Sequence, residues 1–303
     1  MQKKLCTKRA LKRREHKMKK KLLASLMAAA MVLSLCACGQ KNDEVVKDDG
    51  TNGASELNIG YINNFFSDEV FSKHKEEAHS EETLEEHARF HTYSNLSAAL
   101  LDMENAKIIN IALSKSAADY IAAHNDKFQA IALTEYEDGG NVSHFSMITT
   151  DTNTELYDIL DCGIKQLKEN GTLDKLIEED LNAYITSDPT PEVLPTFDGA
   201  ATYKIAVTGD MPPMDFVAAD GKASGFNVAL LTEIANIAQV NFEIVQIDSG
   251  ARLTSLASGA VDAVFWVESS GCVFCGEMIN DAPEGTLITE TYFSDVPALL
   301  FLK

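Results

Sequence analysis

Val261-Asp262-Ala263-Val264-Phe265-Trp266-Val267 is apolar at every position but one. A short apolar run without polar alternation is what a strand buried on both faces requires, and such strands belong to parallel sheets covered by helices. Working back from this run, Thr254–Ser258 has helical spacing, Phe242–Ile247 reads as a strand, Phe226–Ala238 as a helix and Tyr203–Val207 as a strand. Strand and helix alternate, so the second half of the chain is expected to be an α/β unit with its ligand at the carboxyl ends of the strands. The first half alternates as well. Leu57–Ile62 reads as a strand, and Ser67-Asp68-Glu69 supplies an N-cap serine with acids in the first helical turn. Leu96, Ala99, Leu100 and Met103 fall at helical spacing, Ile108–Leu113 is a short apolar run, and Ala117–Ala123 is again helical. Leu156, Leu160, Ile164 and Leu167 mark one more helix, and another starts beyond the stop signal Asn170-Gly171. Between the halves, Ser187–Pro195 holds three of the seven prolines and cannot continue a helix.

The N-terminus has the form of a targeting segment. A basic stretch from Lys3 to Lys21 runs into the apolar Leu22–Leu35, too short for a comfortable span of roughly 20 residues, and small residues follow. Leu35-Cys36-Ala37-Cys38-Gly39 resembles the lipobox of bacterial lipoproteins, which implies a signal peptide over 1–37 and a lipid on Cys38; Met18 is an alternative start to Met1. Loss of residues 1–37 removes ten net positive charges, from −20 to −30. So negative a body repels nucleic acid and has no long-range attraction to anionic membranes, so the lipid must hold it there. Residues 38–56 have the composition of a solvated tether. The expected plan is then a first α/β lobe over 57–150, closing helices over 151–186, a Pro-rich linker over 187–202 and a second α/β lobe over 203–303.

The string Thr208-Gly209-Asp210-Met211-Pro212-Pro213-Met214-Asp215-Phe216, then Asp220-Gly221-Lys222, Ser224-Gly225-Phe226-Asn227-Val228 and Leu256-Ala257-Ser258-Gly259-Ala260-Val261-Asp262-Ala263, resembles lobe 1 of the family 3 extracellular solute-binding proteins. Leu96–Leu113 is similar to a lobe 2 helix and strand of that family, and Asn153–Leu181 to its closing helices. The resemblance implies a two-lobed α/β fold of the type II periplasmic-binding-protein kind, each lobe a mostly parallel sheet flanked by helices. The order is reversed, because the lobe 2 pieces precede lobe 1. Residues 57–186 and 203–303 are expected either to complement one another as a circular permutant or to be parts of a truncated tandem.

The resemblance implies a ligand in the interlobe cleft and an ABC permease as membrane partner. By motif position, lobe 1 offers Asp210, Met214, Phe216, Asn227, Trp266, Glu268, Ser269 and Ser270, and lobe 2 offers Asn64, Phe65, Ser67 and Ser114. Ser67 is equally an ordinary N-cap, and Trp266 is either strand core or a stacking surface for a ligand ring or cation. Two features of amino-acid receptors are missing. No arginine follows Ala263, Arg252 being the last in the chain, and the acidic residue that takes an α-amino group falls at Ser114. With Asp210, Asp215 and Glu268 near the presumed cleft, a neutral or cationic solute is easier to accommodate than an anion.

Cys272-Val273-Phe274-Cys275 reads as a local disulfide or free thiols before it reads as a metal or redox pair. His74, His79, His87 and His91 lie among glutamates and read as a solvated acidic helix, with zinc as the less favoured reading. No nucleophile with a base and no phosphate loop stands out, so no enzyme and no cofactor are expected. The expected function is a lipid-anchored, monomeric, extracytoplasmic receptor that captures a small polar solute, amino acid-like or an amine, for an ABC importer. A surface sensor or decayed receptor without a transport role is the alternative.

Overall fold

A computed structural model describes residues 57–62, 88–133, 142–187, 193–217, 221–271, 278–280 and 282–303. The leader with Cys38, the tether, Asn64, Phe65, Ser67, His74, His79, His87, Cys272 and Cys275 lie outside the described residues. Among those described, no helix is long and apolar enough to cross a membrane, and no group of His, Cys, Asp or Glu is placed to hold a metal.

Two five-strand paths organise the chain. The first sheet runs in the order β2 (Ala88–Tyr93), β1 (Leu57–Ile62), β3 (Asn110–Ser114), β15 (Pro297–Leu302) and β4 (Phe128–Ala132). β1 is parallel to both β2 and β3, whereas β15 is antiparallel to both of its neighbours. The second sheet runs β10 (Asn241–Gln246), β6 (Thr202–Val207), β11 (Ala263–Gly271), β5 (Ser143–Thr150) and β13 (Thr286–Ile288). Here β6 is parallel to β10 and β11, and β5 is antiparallel to β11 and β13. β12 (Met278–Asn280) and β14 (Phe293–Asp295) pair with β11 and β5, and β7 (Asp210–Met211), β8 (Asp215–Val217) and β9 (Ala223–Ser224) form a small antiparallel sheet.

Each large sheet therefore borrows its antiparallel strand from the other half of the chain. This corrects the expected limits of both lobes. Ser143–Thr150, placed by sequence with the first lobe, belongs to the second sheet, and the end of the 203–303 lobe, Pro297–Leu302, belongs to the first. The physical reason lies in β11, whose residues 263–267 are all buried: β6 can cover only one edge, and β5, with Phe145, Met147, Ile148 and Thr149 inside, covers the other. β15 does the same service between β3 and β4, with Ala298, Leu300 and Phe301 buried. The two halves complete one another in one two-lobed body.

Helices cover the sheets as the sequence spacing requires. α1 (Leu96–Glu104) starts at Asn95, whose side chain accepts the Ala98 amide at 2.9 Å, and α2 (Lys115–His124) starts at Ser114 in the same way. α3 (Thr154–Glu169) buries Leu156, Leu160, Ile164 and Leu167 and ends before Gly171, which is left-handed at φ 76°. It is followed by α4 (Thr172–Lys175), a π-helical turn (Leu176–Leu181) and α5 (Asn182–Ile185). α3 lies close on α6 (Phe226–Ala238): a Cβ at Gly163 would stand 3.0 Å from Ile234 Cγ2. α6 itself is buried at every position from Phe226 to Leu231. It begins at Gly225, φ 101°, where a Cβ would meet the carbonyl oxygens of Met214 and Pro213 at 2.7 and 2.8 Å. α7 (Arg252–Ala257) precedes β11.

Candidate functional site

The carboxyl ends of the parallel strands of both sheets meet at one seam. Ser94 follows β2 and Ser249 follows β10, and the Ser249 amide donates to the Ser94 carbonyl at 3.1 Å. Asp210 follows β6, and its Oδ2 accepts the Leu96 amide at the start of α1 at 2.9 Å. At the crossing between β14 and β15, Asp295 Oδ2 accepts the Ser116 amide in the first turn of α2 at 2.8 Å, and Asp295 Oδ1 accepts the Val296 amide at 2.8 Å. The Lys115 amide donates to the Val296 carbonyl at 2.9 Å. Among the described residues, the two helices that start at the first sheet's carboxyl edge thus each have an N-terminal amide bonded to a carboxylate of this chain, where the helix dipole favours negative charge.

Behind Asp210 lies Asp215, fully buried, with donors from four directions. Thr208 Oγ1 and the Gly209 amide each donate to Oδ1 at 2.7 Å. Trp266 Nε1 and Asn227 Nδ2 donate to Oδ2 at 2.7 and 3.1 Å. A further anchor is Arg252, also buried, whose Nη1 donates to the carbonyls of Phe265 and Trp266 at 3.0 and 2.7 Å and whose Nε donates to the Ser249 carbonyl at 3.2 Å. The two carbonyls sit where the register of β11 against β5 shifts between Val264 and Val267, and Trp266 there takes a φ of 65°. A bulky residue in that conformation is held by its surroundings.

The structure distributes the described residues predicted from the sequence over several places. Asp210 is at the seam, and Ser114 is the buried N-cap of α2. Met214, Asn227 and Trp266 are interior, with Trp266 only 1% exposed and edge-on to Phe145 at a centroid distance of 5.1 Å. Of the two readings of Trp266, its place is therefore the strand core, because its N–H is committed to Asp215 and its ring to Phe145. Phe216 is half-buried in β8, and the backbones of Glu268, Ser269 and Ser270 pair with Phe145, His144 and Ser143. His91 is exposed and bonded to Asn58 Oδ1 at 2.8 Å. Sequence reasoning missed Ser94, Leu96, Ser249 and Asp295 at the seam.

Burial pushes the carboxyls of Asp210 and Asp295 up from the ordinary 3.8; the charge of Asp215 adds to this at Asp210, and amide hydrogen bonds oppose it at both. A carboxyl raised in this way binds its proton more tightly in the folded protein than in the unfolded chain. Stability from these two groups is accordingly expected to rise as pH falls through the raised values toward 3.8 and to level off below it, opposite in sign to the paired-carboxylate case. Thermal melts stepped down from neutral pH to 3.8 check this. A midpoint that drops over that interval, or one whose rise persists unchanged when both aspartates are replaced by Asn, contradicts it.

Residues 203–266 match the profile of the bacterial extracellular solute-binding proteins, family 3. The motif resemblance is met over that stretch, which runs from β6 into the start of β11. No curated protein matches the chain. Solved structures of similar fold include the ligand-binding component of an ABC-type import system from Staphylococcus aureus with zinc bound, at 9% identity over 82% of this chain and 66% of that one, with a TM-score of 0.41. The alkanesulfonate-binding protein SsuA from Xanthomonas axonopodis pv. citri, bound to MOPS, is 10% identical over 84% and 67%, with a TM-score of 0.37. CbnR, a LysR family transcriptional regulator, is 7% identical over 82% and 64%, with a TM-score of 0.37. The chain thus spans just under two thirds of the length of the first and third. Importers and regulators occur together at the same level of likeness, so these three carry no argument about function.

Proposed function

We propose that this protein is an extracytoplasmic receptor, tethered by a lipid on Cys38, that captures a small polar solute between its two sheets and delivers it to an ABC permease without covalent chemistry. It works as a monomer. The observation that carries this reading is the seam: the carboxyl ends of the parallel strands of the two sheets, where α/β folds bind their ligands, face one another, and two chain crossings join the lobes. The family match over 203–266 supports it. Backbone hydrogen bonds and two carboxylate caps across such a seam can be exchanged for bonds to a solute as the lobes open and close.

A solute that binds only the folded protein stabilises it by about 2.7 kcal/mol at a hundredfold excess over Kd. The expected result of a thermal-shift screen against amines, amino acids, sugars and short peptides is one solute class with a saturable shift, accompanied by a smaller radius of gyration in solution scattering. A folded protein that no solute shifts removes the receptor reading in favour of a sensor or decayed receptor. Turnover of a bound solute removes the claim that no covalent chemistry occurs.

A further inference from the structure

We infer that the seam selects a cationic solute group, an alkylammonium or amidinium on a molecule without carboxylate, phosphate or sulfonate, and that Asp210 is the residue that sets this preference; the inference rests on the receptor reading above. Among the described residues, the helix N-termini at the seam, where an anionic group would find donors, are occupied by the chain itself. Leu96 N is bonded to Asp210 Oδ2 at 2.9 Å and Ser116 N to Asp295 Oδ2 at 2.8 Å. An entering anion would have to displace one of these carboxylates and leave it close by without its donor. Asp215 stands behind Asp210, fully buried, with both its oxygens already accepting hydrogen bonds, and its charge is felt at Asp210. Two desolvated groups of the same sign make the potential at this end of the seam negative, which repels a second anion and attracts a cation.

A second observation does not involve the carboxylates. Ser249 is 3% exposed, and its Oγ has no hydrogen-bond partner among the described residues. Its amide is bonded to the Ser94 carbonyl, and Asp210 is bonded to the Leu96 amide, so both residues press on the same three-residue turn from β2 into α1. A buried hydroxyl left without a partner is rare in folded proteins and marks a place for a group that is absent. An ammonium or amidinium has several N–H donors and no acceptor, so one such group can serve the lone pairs of Ser249 Oγ and the carboxylate of Asp210 together. An anion could satisfy the hydroxyl only as an acceptor, and would do so beside Asp210.

The test is isothermal titration of the full chain in detergent with putrescine, spermidine and agmatine, with glutamate, phosphate and ethanesulfonate, and with glucose as a neutral probe. The expected result is saturable binding of at least one of the three cations and of none of the anions, with affinity falling as salt is raised. Asp210→Asn, which keeps an oxygen for the Leu96 amide, should weaken cation binding at least tenfold while leaving the melting temperature of the free protein nearly unchanged. An anion or glucose that binds more tightly than every cation overturns the inference and leaves the receptor reading standing. Cation binding that is unchanged in Asp210→Asn or insensitive to salt overturns it as well. Absence of binding by all seven probes overturns the inference, and the receptor reading then falls only if the broader thermal-shift screen is also blank.

Discussion

Asp215→Ala is expected to cost the fold about 4 kcal/mol or more, close to the whole stability of many domains of this size. The carboxylate is fully buried and accepts from Thr208 Oγ1, the Gly209 amide, Asn227 Nδ2 and Trp266 Nε1. Those donors belong to the turn after β6, the start of α6 and the middle of β11, while Asp215 itself opens β8. One side chain therefore ties four elements. Alanine leaves four buried donors unmet, and each is expensive to leave so in a dry interior. Asp215→Asn is the informative partner: its carbonyl oxygen can still accept, but its amide nitrogen faces donors, so about half of the loss is expected to remain. Urea unfolding followed by tryptophan emission checks both, because Trp266 is the sole tryptophan and its indole N–H ends on this carboxylate. If both variants unfold within about 1 kcal/mol of the parent, the carboxylate is not the tie proposed for it.

This knot also shows where sequence reading stops. The helix expected over Phe226–Ala238 forms over those residues, and Leu57–Ile62 is a strand, because periodicity and apolar runs are local properties. Ser143–Thr150 carried no clear strand signal, since Ser, His and Thr occupy five of its eight positions, and only its placement between β11 and β13 makes it a core strand. Membership of a sheet is decided by which edge remains uncovered elsewhere, and that is not written near the strand. The site divides in the same way. Asp210 was legible by its place in the family motif, whereas its partner Leu96 lies 114 residues away. Trp266 was a candidate ligand residue by its place in the family motif alone, with strand core as its other reading. The register shift beside it breaks the strand's regular alternation and turns the ring inward.

Arg252→Ala is expected to remove about 3 kcal/mol, and Arg252→Lys about 2 kcal/mol, from the stability of the fold. At the register shift in β11 the carbonyls of Phe265 and Trp266 both turn to the guanidinium, whose Nη1 donates to both while Nε reaches the Ser249 carbonyl. The arginine is only 7% exposed, so its stem fills space in the core as well as carrying the charge. Alanine loses the donors and the packing together. Lysine keeps a charge, but a single ammonium cannot reproduce a planar fork spread over three carbonyls in two elements. The consequence for function follows from Ser249, whose carbonyl is held by Arg252 and whose amide meets Ser94 across the seam. Arg252→Lys should therefore weaken solute binding by more than its loss of stability implies, and should shift the emission of Trp266, whose carbonyl it no longer holds. Chemical unfolding, titration with the solute found by the screen, and an emission spectrum of each variant test this together. A lysine variant that binds and fluoresces like the parent would show that Arg252 supports the strand without shaping the cleft.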